Sequence, residues 1–224
     1  MSKHLRHEMG YLQKRMLELS AKVEENVLCA LKAVENRDEA MAQGIIESDD
    51  EIDRLEVEIE EECMKALALY QPVAIDLRVI VSILKINNDL ERVGDLAVTI
   101  ARRAFALVEI PGDDVAATLR NMAETSWRMF RKSLDAFVEM QEESAVEVVA
   151  EDKQVDAMNK QIYNFVKQEI RAHPDRLDSY LQLLRISRSL ERIGDHACNV
   201  AEDVLYMLEG DIVRHKPISE NGST

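Results

Sequence analysis

Leu90-Glu91-Arg92-Val93-Gly94-Asp95-Leu96-Ala97-Val98-Thr99-Ile100-Ala101 returns one hundred residues later as Leu190-Glu191-Arg192-Ile193-Gly194-Asp195-His196-Ala197-Cys198-Asn199-Val200-Ala201. Seven of the twelve positions are identical and two more exchange Val for Ile. In both stretches the apolar residues step by three and four, which is the period of one helix face. Working outward, Leu77, Leu84 and Ile86 match Leu177, Leu184 and Ile186 at the same offset. Further upstream, Asp49-Asp50-Glu51-Ile52-Asp53 pairs with Asp152-Lys153-Gln154-Val155-Asp156 at an offset of 103, as do Leu31 and Ala33 with Leu134 and Ala136. The change of offset falls between two helices, where a loop absorbs three residues. The chain therefore reads as two tandem copies of one unit.

Each copy contains three helices. The spacing predicts helices over roughly 5–34, 38–69 and 74–109, then 115–140, 144–172 and 176–209. Tyr70-Gln71-Pro72 and His173-Pro174-Asp175 break the pattern within the copies, and Pro111-Gly112-Asp113-Asp114 divides them. No segment alternates with period two between turn signals. The expectation is an all-α fold of two tandem three-helix bundles: 1–111, 112–210, and a polar tail over 211–224. Helices this long, joined by short loops, are characteristic of bundles.

Composition agrees. The 224 residues include only 7 Gly and 4 Pro, about 5% against an average near 12%, too few for a turn-rich β-sandwich or barrel. A 46% hydrophobic share suffices for a core. The net charge of −15 argues against nucleic-acid binding, which needs clustered Lys and Arg. Cys29, Cys63 and Cys198 form no CxxC pair, which fits a reducing compartment and small buried thiols. The N-terminus lacks the apolar core of a signal peptide, and the longest aliphatic run, near Val79–Leu84, is far short of the roughly 18 residues that span a bilayer. A protein free of membrane spans, at most peripheral to membrane complexes, is expected.

The chemistry lies in paired acids. Glu91 and Asp95, four apart, share a helix face, as do Glu191 and Asp195, Asp49 and Asp53, and Asp152 and Asp156. Like charges at this spacing cost a helix about 0.2–0.5 kcal/mol per pair. Four pairs at repeat-related places invite a compensating cation, and two neighbouring helices can present four carboxylates to one site, as helical bundles do for metals. Hard oxygens suit Mg, Mn, Ca or ferric iron. The competing reading is a solvated acidic face paired with Arg54, Arg92 and Arg192, and residue spacing leaves both open. Gly94 and Gly194, each inside a helix at a cost of about 1 kcal/mol relative to Ala, point to close helix packing. His196 sits about 100° around the helix from Asp195, in an outer or surface role. Trp127, among Met122, Met129, Phe130 and Phe137, reads as core or interface. There is no HExxH, ExxH pair, P-loop or GxSxG, so no catalytic residue is assigned.

The duplicated Leu-Glu-Arg-(Val/Ile)-Gly-Asp signature resembles that of the PhoU family. Gln71-Pro72-Val73-Ala74-Ile75-Asp76-Leu77-Arg78 resembles the segment before the family's third helix, and Tyr206 to His215 its C-terminal end. The resemblance covers nearly the whole chain. It implies a cytoplasmic negative regulator of the phosphate-starvation response and of phosphate uptake. Such a protein is a non-enzymatic adaptor between the ATPase subunit of the phosphate ABC transporter and a sensor histidine kinase, commonly as a homodimer. It also implies metal ions (Mg, Mn, Fe or Zn) held by E/DxxxD patterns, carried here by Asp49, Asp53, Glu91 and Asp95, and by Asp152, Asp156, Glu191 and Asp195. Two departures make the copies unequal: Asn199 corresponds to Thr99, and Asp76-Leu77-Arg78 becomes Arg176-Leu177-Asp178. The alternative from a different class is a carboxylate-bridged metalloenzyme or metal store, although the Glu-x-x-His ligands usual in di-iron bundles are missing.

Overall fold

A computed structural model describes residues 3–104 and 113–210. The proposed divide at Pro111-Gly112 and the polar tail over 211–224 lie outside the described residues. The helices are α1 (Lys3–Asn36), α2 (Glu39–Tyr70), α3 (Ile75–Ala104), α4 (Asp113–Glu139), α5 (Glu142–Ala172) and α6 (Leu177–Glu209), with one 3₁₀ turn at Pro174–Arg176. Among the described residues there is no strand, and no helix is long and apolar enough to cross a membrane.

The helix ends follow local chemistry. Asp38 stands outside α2 as its cap, its Oδ1 accepting the Met41 backbone N–H at 2.9 Å. The corresponding Gln141 before α5 makes no side-chain cap. α2 stops at Gln71, which turns into the left-handed region (φ 46°) just before Pro72, a residue with no N–H to continue the ladder. α6 stops at Gly210 (φ 85°), whose N–H reaches the Tyr206 carbonyl at 3.0 Å. The positive φ favours glycine there, and the Arg78 guanidinium lies so close that a Cβ at this position would displace it. That contact gives the Asp76-Leu77-Arg78 segment a role: Arg78 covers the negative end of α6. Its counterpart, Asp178, carries the opposite charge.

Among the described residues α1, α2, α4 and α5 each bury one face, while α3 and α6, packed in their own bundle and on each other, bury more. In the first bundle, Leu12, Met16 and Leu19 of α1, Ile52, Leu55 and Ile59 of α2, and Ile83, Ile86 and Leu90 of α3 are buried. In the second, Met122, Met129 and Phe130 meet Val148, Val155 and Ile162 of α5 and Leu183, Ile186 and Ile193 of α6. Truncating a Leu, Ile, Met or Phe of these to Ala would cost about 2–5 kcal/mol. α1, α2 and α3 pack on one another, as do α4, α5 and α6, and the two bundles meet chiefly through α3 against α6, with a lesser contact of α1 with α4.

The α3–α6 seam runs antiparallel and carries a polar clasp. Asp89 Oδ1 accepts from Asn199 Nδ2 at 3.1 Å and lies 2.7 Å from His196 Nδ1. One turn away, Lys85 donates to Asp203 at 2.9 Å, and the Ser82 hydroxyl reaches the Asp203 carbonyl at 3.5 Å. Asp89 is 6% exposed and Asp203 2%. The residues related by the repeat are Gln182, Arg185, Ser189, Leu96, Thr99 and Arg103, a set without a carboxylate. The clasp therefore exists on one side of the pseudo-symmetric seam only.

Candidate functional site

Helix register decides where the carboxylates go. On α3, positions 91, 94, 95, 98 and 102 form one stripe facing α2; on α6, positions 191, 194, 195, 198 and 202 form the equivalent stripe facing α5. The glycines set the approach. A Cβ at Gly94 would meet the Ile52 side chain at 3.3 Å, and one at Gly194 would meet Asp152 Oδ1 at 3.5 Å and Val155 at 3.6 Å. Gly194 thus faces Asp152 across the α5–α6 contact with room for an ordinary Cβ, whereas Gly94 packs more tightly on Ile52.

The two predicted sets of four lie one per bundle, on α2 with α3 and on α5 with α6, within reach of one another's charges but with Asp53, Asp95, Asp156 and Asp195 exposed. In the first, burial raises the Asp49 carboxyl above its ordinary range, and Asp53 and Asp95 push it further up. Burial and Asp95 do the same for Glu91. In the second, burial raises Asp152, with Asp156 and Asp195 adding to it. Glu191 is raised by burial and by Asp195, with Asp156 and Asp152 also contributing. Asp195, exposed as a residue, is raised by partial desolvation of its carboxyl and by Asp156, against the pull of Arg188, His196 and Arg192. Mutual repulsion across two helices is what a cation relieves.

The surroundings differ between the bundles. Arg92 lies 3.4 Å from Glu91 and 3.6 Å from Asp95, and Arg102 lowers the Asp49 carboxyl from the same stripe. In the second bundle Arg188 pairs with Glu191 Oε1, but Glu191 is 8% exposed and its Oε2 is buried with no hydrogen-bond partner. Asp152 Oδ1 is likewise buried and meets no N–H or O–H donor, the Cys198 thiol being the side-chain donor that acts on this carboxyl. Where the first bundle has Val98 and Arg102, the second has Cys198 and Glu202. The Cys198 thiol is half-buried beside Asp152, with Val148 O at 4.0 Å, and burial and the surrounding carboxylates push it well above its ordinary range.

Among the described residues, no three acidic, thiol or imidazole donors already close around one point. Their fit to a metal rests on donor chemistry and on the two orphaned oxygens, which a cation would satisfy. Both orphaned oxygens belong to the second bundle.

Three features escaped the sequence reading. Cys198 belongs to the acidic stripe as well as to the packing. His196 is turned into the seam toward Asp89, away from the surface. Asn87 donates to the Glu56 carbonyl at 2.9 Å and to Glu56 Oε1 at 3.3 Å, while the related pair is Ser187 to Asn159 at 2.6 Å. The offsets of 100 and 103 would have aligned all these positions. What they could not supply is the register between the bundles. Trp127 is partly buried where α4 meets α1, with Arg131 5.5 Å over its ring.

Known proteins resemble this chain over nearly its full length. The PhoU domain model matches residues 16–104 and 119–204, one match per bundle. The phosphate-specific transport system accessory protein PhoU homolog of Pseudomonas aeruginosa is 37% identical over 216 residues, covering 96% of this chain and 89% of that protein. The accessory protein PhoU of Escherichia coli is 32% identical over 212 residues, covering 93% and 86%. The crystal structure of PhoU from Pseudomonas aeruginosa superposes with a TM-score of 0.88 at 37% identity, covering 92% of this chain and 99% of that one. That of the phosphate transport system regulatory protein PhoU from Streptococcus pneumoniae gives 0.82 at 31%, covering 93% and 99%.

Proposed function

The chain belongs to the PhoU family, and from that premise we propose that it is a cytoplasmic, non-enzymatic regulator of phosphate uptake. When phosphate is plentiful it holds the phosphate sensor histidine kinase in its inactive mode and restrains the transporter. It does so by docking helical faces on the kinase and on the ATPase subunit of the phosphate ABC transporter, and it works as a homodimer. The observation that carries this reading is the match in both bundles to proteins described as accessory proteins of the phosphate-specific transport system. The repeated carboxylate sets support a second element: each bundle binds metal through Asp49, Asp53, Glu91 and Asp95, or through Asp152, Asp156, Glu191 and Asp195. A bound cation would supply positive charge that ties α2 to α3 and α5 to α6, without turnover.

The deciding experiment is complementation. In a deletion strain with an alkaline-phosphatase reporter, this chain should restore repression in rich phosphate. Normal repression in the uncomplemented strain, or no rescue by a well-expressed chain, would sink the regulatory reading. Metal content of purified protein, with and without Asp95→Asn and Asp195→Asn, tests the metal element separately.

A further inference from the structure

The repeat puts α2 and α5 at corresponding outer positions. Among the described residues α2 packs only on α1 and α3, and α5 only on α4, α6 and the short 3₁₀ turn. Each helix therefore keeps one long face without a neighbour, and the two faces carry opposite charge. On α2, Asp50, Asp53, Glu60 and Glu61 are exposed around Val57 and Met64, themselves 49% and 57% exposed. On α5 the exposed stripe holds Lys153, Lys160, Lys167 and Arg171, with Tyr163 54% exposed beside it.

We propose that the acidic face of α2 docks on the basic face of α5 in a second copy of this chain. The contact is head-to-tail: two different patches meet, and one of each stays open at the ends. It goes beyond the homodimer proposed above, because a two-fold pair uses one patch twice.

Charge complementarity carries the assignment. Among the described residues none of the four cations on α5 forms an ion pair, in a chain whose net charge is −15. The acids of α2 cannot neutralise them within one molecule, because α2 and α5 flank opposite bundles and do not touch. The minority charges are accounted for. Arg54 and Lys65 on α2 are held by their neighbours Glu51 and Glu62, and Asp156 stands on α5 between Lys153 and Lys160. Spacing matches as well. Lys153, Lys160 and Lys167 recur every seven residues, as Asp53 and Glu60 do. Seven residues are two turns, so successive charges on both faces stand about 10 Å apart along one side of a helix. A cleft beside the lysines, to which Tyr163 and Leu184 contribute, offers apolar contact to Val57 and Met64. Exposed ion pairs are individually weak, so the contact is reversible and depends on several acting together.

Sedimentation equilibrium of the full-length chain tests this. At about 0.1 M salt, repulsion between the distant charges of two copies is screened while facing pairs a few Å apart are not; at about 1 M those are screened too. The average mass should rise with protein concentration at the lower salt and stop rising at the higher. The double variants Glu60→Lys with Glu61→Lys, and Lys160→Glu with Lys167→Glu, should each weaken association at least about tenfold and stay helical by circular dichroism. An equimolar mixture of the two should associate again, because the acidic α2 of the second meets the basic α5 of the first. A wild-type mass that neither salt nor either variant changes overturns the contact and leaves the two-fold homodimer standing. Loss in both variants without recovery in the mixture also overturns it, because the two faces then meet unlike partners.

Discussion

The two bundles hold the same four carboxylates on the same helix stripes and differ in what stands next to them. The first surrounds its acids with Arg92 and Arg102. The second sets Arg188 on Glu191, leaves Glu191 Oε2 buried without a hydrogen-bond partner and adds Cys198 beside Asp152. The seam is equally lopsided, since Asp89 meets His196 and Asn199, while the corresponding positions in the repeat are Ser189, Leu96 and Thr99. Duplication preserved the frame, and divergence assigned the halves different electrostatic duties.

The largest effect is expected at the seam. Asp89→Ala should cost about 2–3 kcal/mol in urea denaturation, because it removes a buried acceptor and leaves the part-buried His196 and Asn199 without it. Ser189→Ala, at the related place, should cost no more than about 1 kcal/mol. Equal losses would mean the clasp is not one-sided.

Next comes the cation in the first bundle. Arg102→Ala removes a fixed positive charge near Asp49 and should tighten Mg²⁺ or Mn²⁺ binding there about fivefold, close to 1 kcal/mol, by titration calorimetry. An unchanged affinity would show that Arg102 does not distinguish the sites.

The glycines give a smaller and opposite contrast. Gly194→Ala meets its neighbours at ordinary contact distance, so it should stabilise the metal-free protein by about 0.5–1 kcal/mol through helix propensity alone. Gly94→Ala must displace Ile52 and should fall near zero. A marked loss in Gly194→Ala would reveal tighter packing than these distances imply.

The smallest effect concerns pH. Asp152, Glu191 and Asp195 have folded carboxyls raised above their unfolded values of about 4. For a raised acid the folded state binds more protons, so stability is greatest below the unfolded value and declines as pH rises through the folded one. Metal-free protein should therefore lose stability from the carboxylate range toward neutrality. Asp152→Asn should remove part of that slope and add a few tenths of a kcal/mol at pH 7. Asp49→Asn should add less, because Arg102 already offsets Asp49. A melting temperature that rises with pH across this range in the wild type would contradict the assignment.

Much of this was legible beforehand, for identifiable reasons. Helices show their period in every turn, so six were visible, with ends displaced by a residue or two where a cap decides. Asp38, for example, reads as helical but stands outside α2 as its cap. The carboxylate sets were legible because i and i+4 share a face whatever the tertiary structure. Cys198 read as a small apolar residue because nothing local distinguishes a packed thiol from one beside Asp152. The clasp was not legible, because pairing Asp89 with His196 needs the antiparallel register of α3 on α6, which no single helix encodes.

That antiparallel register has a mechanical consequence. α6 has 33 residues and at 1.5 Å per residue is about 50 Å long. Its C-terminal end, at Gly210, lies against Arg78 near the start of α3, so the α2–α3 turn and the α5–α6 turn lie at opposite ends of the molecule. Each tip carries exposed apolar side chains, Leu69, Val73 and Ile75 at one and Leu177 and Leu181 at the other. The protein is thus a two-ended spar, and a partner seated on one tip is a full helix length from whatever meets the other.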